Sequence, residues 1–172
     1  MNEFFTADTH FNHTNIIKHC ARPFITVGEM NEILIKNWNE TVGKKDIVYH
    51  LGDFAYSNHS SIRMELNGKI ILVKGNHDRM SAVQYQNLFT RVEDVMFLRS
   101  YDPNIFLSHY AHRTWKNAVH GSWHLFGHTH GRLQPFGLSF DVGVDCCGYA
   151  PLSFKEVEER MSKLEIADAR GR

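Results

Sequence analysis

Lys69-Ile70-Ile71-Leu72-Val73-Lys74-Gly75-Asn76-His77-Asp78 is the stretch from which the rest of the chain can be read. Ile70 to Val73 is fully apolar and rich in β-branched side chains, which predicts a strand buried within a covered sheet. It does not end in an ordinary turn. A glycine is followed at once by an amide, an imidazole and a carboxylate. The same pattern recurs on both sides. Phe4 to Ala7 reads as a short strand running into Asp8-Thr9-His10, and Ile47 to Leu51 as a buried strand running into Gly52-Asp53. Downstream, Ile105 to Ser108 leads to His109, and Trp123 to Phe126 leads to Gly127-His128-Thr129-His130-Gly131.

Helical patterns separate the early strands. Met30, Leu34, Trp38 and Val42 recur every four residues and predict a helix over Val27–Val42, ended by Gly43. Ser60–Leu66 and Ser81–Phe89 are expected as shorter helices. The second half is richer in strands. Val95–Arg99 and Ile105–Ser108 flank Tyr101-Asp102-Pro103-Asn104, which has hairpin turn chemistry. Phe140–Val144 is expected as the last strand. Ser153 with Glu156 forms a capping box opening a final helix, and the chain beyond about Leu164 is expected to fray. The fold class is α/β passing to α+β, with helices covering sheets in a single domain over residues 1–172.

Composition narrows the function. The 172 residues are 42% apolar and 22% charged, as in a globular protein, and 19 basic residues balance 19 acidic ones. A zero net charge gives no support to broad capture of nucleic acid, which usually shows as a basic excess. No apolar run is long enough for a membrane helix, and the first residues do not read as a secretory leader. The cysteines, Cys20, Cys146 and Cys147, are odd in number and two are adjacent, so reduced thiols and a cytoplasmic setting are expected. Histidine is unusually frequent at 12 residues.

The chemistry lies in where those histidines fall. Ligands of α/β sheets bind at the carboxyl ends of strands. Five strand ends bring Asp8, His10, Asp53, Asn76, His109, His128 and His130 as candidate metal ligands. Asp8 and His10, like His128 and His130, are two apart and would share one side of an extended segment. Seven ligands exceed the needs of one tetrahedral ion and fit two ions if one carboxylate bridges them. Carboxylate, imidazole and amide without thiolate suit Mn, Fe, Zn, Ni or Mg.

Asp-x-His, Gly-Asp, Gly-Asn-His-Asp, a histidine after a strand and Gly-His-x-His, in this order over residues 8–130, resemble the calcineurin-like metallophosphoesterases. The resemblance implies a four-layer αββα sandwich, two mixed sheets flanked by helices, with two divalent metal ions above the sheets, Mn²⁺ foremost. It implies hydrolysis of a phosphomonoester or phosphodiester, a nucleotide among the possible substrates. Carried over, the first ion would be held by Asp8, His10, Asp53 and His130. The second would be held by Asp53, Asn76, His109 and His128, with Asp53 bridging. His77 would be a non-ligating catalytic residue beside the phosphoryl oxygens or leaving group, and Asp78 would orient it. Two departures bear on substrate preference. Ser108 stands where glycine often precedes the lone histidine, and the stretch after Asp53 is not the commonest form.

Further candidates for contact with substrate are His13, Arg22, His112 and Arg113, Arg22 because a guanidinium matches phosphate geometry. His50 is expected to pack behind Asp53, and His124 to support the strand leading to His128. Asp141 and Asp145 are expected to bond backbone groups. Tyr56 is expected as a plain surface aromatic, with stacking on a base as the alternative. The competing function is a metal-binding or protein-interaction module on the same fold without hydrolysis, which missing ligands or a replaced His77 would mark.

Overall fold

The computed structural model describes residues 1–167; the part of the expected fraying tail that falls on 168–172 lies outside the described residues. The first sheet is built from β1 (Glu3–Thr6), β2 (Ile47–His50), β3 (Lys69–Val73), β4 (Arg91–Glu93) and β9 (Leu152–Ser153), in the spatial order β4-β3-β2-β1-β9. Its strands are parallel except β9, which runs antiparallel to β1. The second sheet contains β5 (Val95–Leu98), β6 (Ile105–Ser108), β7 (Trp123–Phe126) and β8 (Ser139–Asp141), in sequence order. The β5–β6 pair is antiparallel, as the turn chemistry of Tyr101–Asn104 predicts, and β6, β7 and β8 are parallel. The architecture is thus two mixed sheets flanked by helices, the sandwich expected from the motifs.

Each face of the first sheet has its own core. Phe4, Val48, Ile70 and Leu72 point one way and pack under helices α1 (Thr14–His19), α2 (Val27–Thr41), α3 (His59–Glu65) and α4 (Ala82–Leu88). Met30, Leu34 and Trp38 form the buried stripe of α2, and Val42 caps its end. Thr26 starts this helix by accepting from the Glu29 amide. Phe5, Tyr49 and Val73 point the other way, toward Ile105, Leu107, Leu125 and Phe140 of the second sheet. Helix α5 (Phe154–Met161), opened by the expected Ser153–Glu156 capping box, adds Val157 and Met161 to this core. Phe106, between inward Ile105 and Leu107, faces outward and meets His112 and His124. No described helix is long and apolar enough to cross a membrane.

The structure departs from the sequence reading at several ends. The strand expected over Phe140–Val144 stops at Asp141 and is not the last, and Val144–Cys146 turns into a 3₁₀ segment that places Asp145 rather than continuing the ladder. Helix α1 and strands β4 and β9 were not anticipated. The three cysteines are free, with Cys146 Sγ and Cys147 Sγ 3.9 Å apart.

Candidate metal centre

Strand ends from both sheets meet at one place. The Asp8 amide donates to Gly52 O at 2.9 Å and the His10 amide to Asp53 O at 2.9 Å, which ties the loop after β1 to the loop after β2. His109 Nδ1 bonds Leu51 O at 2.7 Å, carrying the end of β6 to the end of β2. The His128 amide donates to Asp8 Oδ2 at 2.7 Å, joining the end of β7 to the end of β1. Close approach depends on glycine at Gly127, where a Cβ would lie 2.5 Å from that of Ala7 and 2.8 Å from Asp8 Oδ2.

The backbone here is not extended. Asp8 (φ 56°), His10 (φ 50°), Asp53 (φ 58°), His128 (φ 68°) and His130 (φ 51°) all occupy the left-handed region. This corrects the expectation that the i, i+2 pairs converge by strand alternation. Left-handed non-glycine residues cost about 1–3 kcal/mol each, and clustering them at one locus is typical of sites where function sets the geometry.

Two groups of ligand atoms result. Asp8, His10 and His130 form one and Asp53, His109 and His128 the other, the atoms of each lying within 4.8 Å of one another. One atom links them: Asp53 Oδ2 is 3.4 Å from His10 Nε2 and 3.6 Å from His109 Nε2. Asn76 Oδ1, 3.0 Å from His109 Nε2, extends the second group. All seven expected ligands are therefore brought together. A third group, Cys20 with His130 and Asp145, shares His130 with the first, and the Asp145 oxygens are already bonded to His130 and Arg22.

The donor set suits cations. Asp8 Oδ1 and His10 Nε2 are buried with no hydrogen-bond partner among the described residues. Leaving such atoms unpaired is costly, and a divalent cation would satisfy both. Burial, with Asp141 and Asp53 nearby, pushes the Asp8 carboxyl well above the usual carboxylate range. Burial, with Arg22 and the His130, His13 and His77 imidazoles nearby, holds His10 far below the ordinary histidine range. His128 is lowered mainly by burial, then by His109. Neutral imidazoles are the protonation state a metal requires, and a cation's charge would offset the burial and carboxylate crowding that raise Asp8. His10 is also oriented, since its Nδ1 lies 3.2 Å from His13 Nδ1 and its Nε2 is left for the site.

The supporting residues divide differently from expectation. Asp78 does not reach the His77 ring. Its Oδ2 accepts from the amides of Asp53 and Gly75, both at 2.8 Å, and its Oδ1 from Phe54 N at 2.9 Å. It therefore fixes the loop that carries Asp53. His77 is exposed, its amide donates to Asp53 Oδ1 at 2.8 Å, and its ring meets that of His10 edge-on at 5.3 Å.

Arg22 is buried behind the site rather than open to a substrate. Its Nε and Nη2 hold Asp145 Oδ1 and Oδ2 at 2.8 Å, while Nη1 and Nη2 donate to the carbonyls of Thr9 and Asp8. His112 packs on Phe106 and His124, and Arg113 lies over the Phe136 ring, so neither is brought to the two ligand groups. His13 stands at the rim, stacked on Tyr56.

Two contributors were not read from sequence. Asp145 accepts from His130 Nδ1 at 2.7 Å. Burial opposes its ionisation, but the bonds from His130 and Arg22 outweigh this and hold its carboxyl below the usual range. A carboxylate on the far nitrogen of a ligand histidine sets ring orientation and basicity. Tyr110 lies edge-on to His128 (4.7 Å) and His109 (5.0 Å), with its hydroxyl 3.5 Å from Asn76 Oδ1. Ser108 Oγ donates to Tyr110 O at 2.8 Å and contacts His124 Nε2 at 2.9 Å, so this departure from glycine positions the Tyr110 loop. Asp141 bonds backbone as expected, accepting from the Gly131 and Gly143 amides.

No model of a known protein family matches the chain. It is 33% identical to Uncharacterized protein MJ1445 of Methanocaldococcus jannaschii, covering 95% of this chain and 93% of that one, and belongs to the same family. It is 27% identical to Gene 66 protein of Mycobacterium phage D29, over 95% and 98% of the two chains. Among solved structures, the protein of unknown function AQ665 from Aquifex aeolicus shares the fold, with a TM-score of 0.74, 23% identity, and coverage of 92% of this chain and 98% of that one. A weaker likeness is to a predicted phosphoesterase from Streptococcus pneumoniae, with a TM-score of 0.46, 17% identity, and coverage of 83% and 70%.

Proposed function

We propose that the protein is a phosphoesterase that works with two divalent cations, hydrolysing phosphomonoesters or phosphodiesters. The observation that carries this reading is the placement of Asp53 Oδ2 between His10 Nε2 and His109 Nε2 at 3.4 and 3.6 Å. A single carboxylate oxygen facing both ligand groups is the arrangement a bridged pair requires.

Asp8, His10, Asp53 and His130 would hold one ion, and Asp53, Asn76, His109 and His128 the other. Bound there, the ions would supply charge neutralisation for phosphoryl oxygens and an acidified water. The chain's own residues do the rest. Asp145 and His13 hold the rings of His130 and His10. Asp78 holds the Asp53 loop. His77, exposed beside His10, would give a proton to a departing oxygen, a contribution of about 10²–10⁴-fold in such reactions. Mn²⁺ is our choice among the ions that oxygen and imidazole donors accept.

The test is turnover of a nitrophenyl phosphate monoester and the corresponding bis-ester with Mn²⁺ and with excess chelator. Metal-dependent release of nitrophenol from either supports the reading. Stoichiometric metal with no turnover of either would instead favour a non-catalytic metal-binding module.

A further inference from the structure

Tyr56 is a large aromatic left 63% exposed. One face of its ring is covered by His13, with centroids 4.7 Å apart and planes 17° from parallel. That imidazole is fixed in turn on His10. Tyr56 also lines a groove of about 500 Å³ with His59, His77 and Arg79. This volume falls within the roughly 300–1,000 Å³ of small-molecule pockets. His77 belongs to both places, since it lines the groove and its ring meets His10 at 5.3 Å. A phosphoryl group held at the ligand groups would thus have its ester substituent at the mouth of this groove.

The wall chemistry selects the substituent. An aromatic face, a guanidinium and two imidazoles do not suit a plain alkyl chain. They suit a flat π-system, because bases stack on aromatic side chains and on guanidinium planes. We infer that the groove is a nucleoside-binding subsite in which the base stacks on Tyr56. The inference rests on the phosphoesterase reading and names its substrate class as nucleotide esters.

The experiment is calorimetric titration of the Mn²⁺-loaded protein with adenosine 5′-monophosphate and with ribose 5-phosphate, which differ only in the base. Base stacking predicts that wild type binds the nucleotide about tenfold or more tightly. In Tyr56→Ala the ratio of the two dissociation constants should fall toward one, and in Tyr56→Phe it should stay near the wild-type value. Equal binding of both probes by wild type, or an unchanged ratio in Tyr56→Ala, would overturn the inference. Turnover is not read, so a protein that prefers the nucleotide without hydrolysing esters keeps the subsite and loses the phosphoesterase, and an active protein without the preference does the reverse.

Discussion

Replacing Asp145 with alanine should damage stability and metal binding by separate routes. The Arg22 side chain is fully buried and Asp145 is only 6% exposed, so the mutation strands a buried guanidinium without its counter-charge. Removing one partner of such a pair costs about 3–5 kcal/mol. For a domain of this size about 2–4 °C of Tm is lost per kcal/mol, so Tm should fall by roughly 6–20 °C. His130 loses the carboxylate 2.7 Å from its Nδ1. Loss of such a partner typically weakens metal affinity about 10–100-fold. Adding Arg22→Met separates the two effects. Scanning calorimetry of the double variant should show much of the lost stability restored, because the stranded charge is gone. Mn²⁺ titration of the same variant should show affinity still reduced, because His130 remains unheld. Recovery of full metal affinity in the double variant, or a single variant unchanged in both properties, would refute the assignment of Asp145 to His130.

His77→Ala should keep its metal while kcat falls about 10²–10⁴-fold, measured by elemental analysis beside steady-state kinetics; equal loss of both would make His77 a ligand. Asp78→Ala removes the acceptor of three amides, those of Asp53 and Phe54 buried and that of Gly75 partly so, and it should lower Tm by several degrees and also weaken metal binding through the Asp53 loop, as calorimetry and Mn²⁺ titration would show. The metal-free protein should lose stability in acid. His50 and His124 are both lowered to about 3, burial being the main cause. The unfolded chain takes up these protons near pH 6.5 and the folded chain does not, so stability falls as pH drops from about 6.5 to about 3. Each group contributes up to about 1.4 kcal/mol per pH unit in that window, and urea melts at pH 7 and 5.5 would read it.

How much of this was legible in the sequence depends on range. The strand-end motifs are local, and each ligand follows an apolar run that the eye can find. Capping at Ser153 is equally local and placed the start of α5, whereas the matching capping box at Ser81 was not read. Helix α1 has only six residues and one buried side chain, Ile16, too short for a period to show. Strand β9 is two residues long, and β4 lies at a sheet edge, so neither carries a strong pattern. Arg22 and Asp145 are 123 positions apart, so their pairing belongs to tertiary packing. Without it, Arg22 reads as a phosphate contact and Asp145 as a carboxylate bonded to backbone groups. Asp78 beside His77 suggested a local partnership, whereas the fold turns the carboxylate toward amides 24 and 25 residues upstream. The left-handed backbone at Asp8, His10, His128 and His130 has no sequence signature, since these are not glycines.

The most direct test of the two-cation centre is electron paramagnetic resonance during titration of the metal-free protein with Mn²⁺. Two ions per chain, with the spin-coupled spectrum of a carboxylate-bridged pair that vanishes in Asp53→Ala, is the expected result. A spectrum that stays that of one isolated ion per chain at saturation would contradict the account.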